Sequence, residues 1–186
     1  MSTPKEINIA LFKPLKSGRK YDKYFSYSDC TYQYLGHGYT DFSIKSMINY
    51  INKFNDHTEK IALNEFTGKP LQETCFDIHS FLYHHIQYKI DEGNQLLRSP
   101  NCAWSSRTIG IDCKSYSIFA SSILLNLGIN HFIRKIKQPN SNPIFEDHFT
   151  HVYVIVPKNQ KLRQLKSGDQ YYTIDATIPS VSEPFY

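Results

Sequence analysis

Thr108-Ile109-Gly110-Ile111-Asp112-Cys113-Lys114-Ser115-Tyr116-Ser117 runs without a break into Ile118-Phe119-Ala120-Ser121-Ser122-Ile123-Leu124-Leu125-Asn126-Leu127-Gly128. Gly110 permits a sharp turn, and Asp112 can cap the free N–H groups of a helix that starts at the next residue. After Cys113 the residues are apolar or small on every side, and Gly128 is a natural stop. A helix apolar all round is a buried one. The stretch therefore predicts a central buried helix with a cysteine in its first turn. At that place the helix dipole and unpaired N–H groups favour thiolate over thiol and can bind an oxyanion. A buried cysteine on its own more often packs than reacts, so the chemistry must be judged from what lies downstream.

Downstream the hydrophobic period changes from helical to alternating. Asn130 to Lys137 alternates as a strand, and Phe149 to Val156 is strongly β-branched and aromatic, closed by Pro157. Tyr171 to Ala176 makes another strand, separated from the last by the polar, basic turn Lys158 to Asp169, read as a solvated hairpin loop. Pro139 to Asp147 forms a loop able to overhang a cleft. Strands are depleted in Asp, so Asp175 near the end of its strand implies a requirement. Antiparallel neighbours would bring His151 and Asp175 opposite or diagonal, within reach of an imidazole–carboxylate hydrogen bond. If the head of the central helix packs on that corner, Cys113 faces His151, with His148 as the rival base. A thiol nucleophile needs such a base, and the base needs an acceptor to fix its tautomer. The bland alternative is a stabilising cross-strand hydrogen bond with no chemistry.

Upstream, residues 1–40 are polar and Tyr-rich with poor periodicity, predicting loop with short strands, an N-terminal wrap over the core. Thr40 to Phe54 has an apolar stripe at helical spacing, Ile61 to Pro70 is ambiguous, and Thr74 to Ile90 predicts a second helix opened by a Thr74-x-x-Asp77 cap. His79, His84, His85 and Tyr88 on it are expected to be surface or satisfied core-edge groups. Asp91 to Ile109 predicts a connector. Its Trp104 either lines a cleft, with its N–H on a developing oxyanion, or closes the core edge. The whole gives a single domain over 1–186, α+β, helices first and then an antiparallel sheet.

The net charge of +4 is small beside 21 basic and 17 acidic residues, which argues against nucleic-acid or membrane partners. No apolar run is long enough for a bilayer and no signal pattern opens the chain, predicting a soluble cytoplasmic protein. Cys30, Cys75, Cys102 and Cys113 form no CxxC pair, so free thiols are expected, with no metal site. A redox pair of Cys102 and Cys113 is a weaker alternative.

Gly110-Ile111-Asp112-Cys113-Lys114-Ser115-Tyr116-Ser117, Leu124-Leu125-Asn126-Leu127-Gly128-Ile129, Thr150-His151-Val152-Tyr153-Val154 and Tyr172-Thr173-Ile174-Asp175-Ala176, in that order, resemble the transglutaminase-like superfamily. Leu96-Leu97-Arg98-Ser99-Pro100 and the tail Ile178 to Phe185 are similar to members found in phage and prophage genomes. The likeness covers roughly 74–186 and is loose over 1–73, the N-terminal helical and loop portion. It implies a papain-like fold and the triad Cys113, His151 and Asp175, with Trp104 and Asp112 as candidates on the oxyanion and cleft side. It implies a peptide or protein substrate, a thioester intermediate, and no cofactor. Peptidase, amidase and transamidase chemistry all fit. The alternative is a non-catalytic phage virion or assembly protein that keeps the fold for binding virion partners, in a host cytoplasm or a virion. Relatives commonly carry an acidic pair after the cysteine, where this chain has Lys114-Ser115.

Overall fold

The computed structural model describes residues 3–37, 40–91, 94–137 and 149–180. Thr3 and Glu6 form a reciprocal capping box, and with Pro4 in the first turn they start α1 (Pro4–Ala10), a helix where the sequence predicted loop. A 3₁₀ turn (Arg19–Tyr24) and β1 (Tyr32–His37) follow, then α2 (Thr40–Phe54), which ends as predicted but takes in Thr40 and Asp41, expected as its cap, whose side chains lie outside the described residues. The ambiguous stretch folds as a 3₁₀ turn (Asn55–Thr58), α3 (Glu59–Ile61) and a π turn (Ala62–Phe66).

The second long helix, α4 (Leu71–His85), begins three residues earlier and stops five residues sooner than expected. Pro70, in extended geometry, is its cap, and Thr74 Oγ1 donates back to the Pro70 carbonyl (3.2 Å) instead of opening the helix. It ends because the next segment has a better use for its backbone. Gln87 N–H bonds the Arg107 carbonyl (2.7 Å), Ile111 N–H bonds the Gln87 carbonyl, and Lys89 N–H bonds the Ile111 carbonyl, both at 2.9 Å. The predicted connector contains β2 (Asn94–Arg98) and α5 (Pro100–Ser105), the latter started by Pro100.

Central helix α6 (Cys113–Asn126) is as predicted, with residues 113–124 all buried. Asp112 caps it through Oδ1, which accepts from Ser115 N–H (3.1 Å). Gly110 has φ +111°, and a Cβ there would stand 2.6 Å from Lys89 Cβ, so the turn into the helix requires glycine. Packed around α6 are α2, α4, α5 and β4. Trp104 sits in this core, stacked on Phe25 at 4.8 Å and Phe81 at 5.4 Å between ring centroids.

Strands β3 (Phe132–Ile136), β4 (His151–Pro157) and β5 (Tyr171–Ile174) form an antiparallel sheet with β4 in the middle. Val152, Val154 and Val156 pack into the same apolar clusters as α6, while Tyr153 and Ile155 pack with Ile136 on the other face. A separate antiparallel pair joins β1 to β2, with Tyr32 opposite Arg98 and Tyr34 opposite Leu96. The mixture of helices and small antiparallel sheets agrees with the α+β class. The Tyr-rich start does wrap the core, as Tyr21 and Tyr24 pack against it. The free-thiol expectation is corrected: Cys30 and Cys102 are disulfide-bonded, and only Cys75 and Cys113 are free. That bond also removes Cys102 as a redox partner for Cys113. Among the described residues no helix is long and apolar enough to cross a membrane.

Candidate active site

Each of three elements contributes one group to the corner at the head of α6. The Asp112 cap fixes where the helix starts, which sets Cys113 as its first residue. His151 is the first residue of β4. Asp175 follows the last residue of β5, and the register Val154 opposite Ile174 makes it diagonal to His151. The result is a hydrogen bond of 2.7 Å between His151 Nε2 and Asp175 Oδ2.

The Cys113 sulfur acts on the same imidazole and favours its charged form. Burial opposes a charge on the ring, but the Asp175 carboxylate and the Cys113 sulfur outweigh it and raise the His151 pKa from 6.5 to about 10. Burial likewise opposes the Asp175 charge; His151 and Thr177 more than offset this and hold its pKa below the ordinary value. Thr177 donates to Asp175 Oδ1 twice, from Oγ1 at 2.6 Å and from N–H at 3.1 Å. Both carboxylate oxygens are thereby committed, and the one facing His151 is fixed.

A second layer holds this arrangement. His79 Nε2 lies 3.1 Å from the Asp175 carbonyl and 3.0 Å from the Ile178 carbonyl, so it donates between them and clamps the turn that carries the carboxylate. It is a satisfied buried histidine, as expected. Tyr88, pinned by its bridge to Ile111, packs against the cluster that contains Cys113. Burial first, then the charges of Cys113 and Asp175, push its phenol well above its ordinary pKa, so it stays a neutral donor. Thr177 was not singled out from sequence, and Tyr88, expected as a surface or core-edge group of the second helix, lies beyond its end. The Asp-x-Thr spacing is a recognisable turn signal, whereas nothing local marks Tyr88.

Beside the sulfur lies a buried charge group. Lys114 Nζ is ion-paired with Asp112 and with Asp91 (3.4 Å). Asp112 is thus a cap and an ion-pair partner. Trp104 is fully buried and donates its N–H to Asp22 (2.9 Å), so the core placement holds and its N–H is not available to an oxyanion. The rival base His148 lies outside the described residues. Cys113, His151 and Asp175 are only 6%, 5% and 7% exposed. Among the described residues, the space lined by Cys113, Tyr116, Val152, Ile174 and Thr177 is too narrow for a water molecule.

The arrangement can deprotonate a thiol, hold the imidazolium, and return its proton to a leaving group. No protein-family model, no curated protein and no solved structure matches this chain.

Proposed function

We propose that the protein is a cysteine-dependent acyl-transfer enzyme of the transglutaminase-like, papain-like kind. The observation that carries this reading is the His151 imidazole bonded to the Asp175 carboxylate (2.7 Å), with its charged form favoured by Cys113 at the head of a capped helix. Cys113 gives its proton to His151 and attacks a peptide or carboxamide carbonyl. The sulfur–carbon bond forms, and the first unbonded N–H groups of α6 face the developing oxyanion. As the carbon–nitrogen bond breaks, the His151 proton goes to the leaving amine, leaving a thioester. His151 then takes a proton from water or from an acceptor amine, which attacks the thioester and regenerates the thiol. Water gives hydrolysis; an amine gives transamidation.

The test is the rate of Cys113 alkylation by iodoacetamide against pH. The expected result is rapid labelling well below pH 8, lost in His151→Ala, together with cleavage, deamidation or cross-linking in a peptide mixture read by mass spectrometry. Labelling no faster than an ordinary thiol would remove the enzyme reading.

The near closure of the triad favours one second reading, a non-catalytic module of a phage virion or assembly that keeps the arrangement for stability. It expects ordinary thiol kinetics, no change in any peptide, and binding through the exposed tyrosines of the first forty residues, Tyr27, Tyr32 and Tyr34.

A further inference from the structure

Arg98, at the end of β2, feels the charge of Asp91 but makes no ion pair with it among the described residues. Its Nη1 is buried and, among the described residues, has no hydrogen-bond partner and no ion pair. The nearest carboxylate is otherwise engaged: Asp91 Oδ2 accepts from Leu96 N–H (3.0 Å) and pairs with Lys114 Nζ (3.4 Å). A guanidinium N–H withdrawn from water with no acceptor is costly unless a ligand completes it.

The space in front of it has the form of such a ligand's site. Arg98 lines a pocket of about 260 Å³ with Tyr34, Lys89, Asp91, Leu96 and Ile109. Tyr34 lies opposite Leu96 in the β1–β2 pair, which puts it on the same face as Arg98, and at 63% exposure its phenol stands open to solvent. Lys89 adds a second positive charge on the wall. Asp91 is the one acid there, and Lys114 offsets it from behind. That balance suits a single negative charge, and a guanidinium fork matches the two oxygens of a carboxylate. A doubly charged phosphate would meet Asp91.

Position ties the pocket to the nucleophile. Gly110, on its wall, is three residues ahead of Cys113, and the Lys89 backbone is bonded to Ile111. Lys114, next to Cys113, reaches the pocket's own Asp91.

We infer that the Arg98 pocket is a carboxylate-binding subsite, and that the peptide acted on at Cys113 carries an acidic residue beside the acyl group transferred. The inference rests on the acyl-transfer reading for its role and on Arg98 alone for its ligand.

The probes are N-acetyl-glutamate amide and its neutral counterpart N-acetyl-glutamine amide, titrated calorimetrically into the intact protein, with Cys113 alkylation by iodoacetamide followed in their presence. The acidic probe should bind at least tenfold more tightly than the neutral one and slow the alkylation. Arg98→Met should abolish both effects, and Arg98→Lys should keep a weaker preference. Arg98→Met should also melt no lower than wild type, because it breaks no bond. Equal binding of the two probes, a preference that survives Arg98→Met, or binding with no effect on alkylation would each overturn the subsite. Ordinary thiol kinetics at Cys113 with the Arg98-dependent preference intact is a separate outcome. It overturns the acyl-transfer reading and the substrate role together, while leaving a carboxylate site.

Discussion

His79 donates to the backbone carbonyl of Asp175 across 3.1 Å, so one buried imidazole sets the position of the carboxylate that orients another. His79→Ala leaves the Ile178 carbonyl without this donor and the Asp175 carbonyl with only the Ile178 N–H at 3.4 Å, and should cost about 1–3 kcal/mol in urea denaturation. The pH dependence has a definite sign. Burial lowers the His79 pKa below 6.5 despite the two carbonyls. The unfolded chain therefore binds the proton more readily, and stability falls as pH drops below 6.5. His79→Gln should flatten that acid limb; a limb of unchanged slope would exclude His79 as its origin.

For His151 the sign is opposite. Its pKa is raised from 6.5 to about 10, so its contribution to stability is fully present below pH 6.5 and is lost as the pH rises through about 10. Urea midpoints measured between those values should decline more steeply for wild type than for Asp175→Asn. Parallel curves would contradict the ion pair.

Gly110→Ala forces a side chain into φ +111° with its Cβ 2.6 Å from Lys89 Cβ. A loss of about 1–3 kcal/mol from the backbone conformation alone is expected. The clash adds to it and shifts the start of α6, so Cys113 alkylation should fall in the same variant even where it remains folded.

Removing Asp112 takes away a helix cap and a partner of a buried ammonium. Asp112→Ala should cost roughly 3–5 kcal/mol, the range for breaking a buried pair. The double variant Asp112→Ala/Lys114→Met should cost less than the sum of the two single changes, since the ammonium left with Asp91 as its one partner goes too. Strictly additive losses would show the two residues to be independent.

Thiol counting checks the disulfide. In denaturant without reductant, two thiols should react with Ellman's reagent, Cys75 and Cys113, and four after reduction.

The elements legible in the sequence were those whose pattern is local and redundant. Asp112, the apolar run and Gly128 specify α6 without help from elsewhere, and the β-branched run specifies β4. Two antiparallel strands with a known period then bring His151 and Asp175 within reach. What stayed hidden depends on partners far away in sequence. Residues 86–90 continue the helical pattern of α4, yet they are extended, because Arg107 and Ile111 offer them ladder bonds. Residues 94–98 have little strand character until β1 lies alongside. Trp104 could be placed in the core only once Asp22, 82 residues earlier, was seen to take its N–H. Tyr88, read as a helical edge group, was misplaced for the same reason.

That dependence has a kinetic consequence. Asn8 holds Ile90 at a separation of 82 residues, Ser26 is held by Asn101 at 75, and Phe25 stacks on Trp104. Large chain loops must close before any of these contacts rewards the closure. Refolding should therefore be slow for a chain of this helix content, with half-assembled species that leave the underside of α6 uncovered. Cys113 would be open to alkylating reagents earliest in such species, before Leu35 of the Tyr-rich segment has been laid against its cluster.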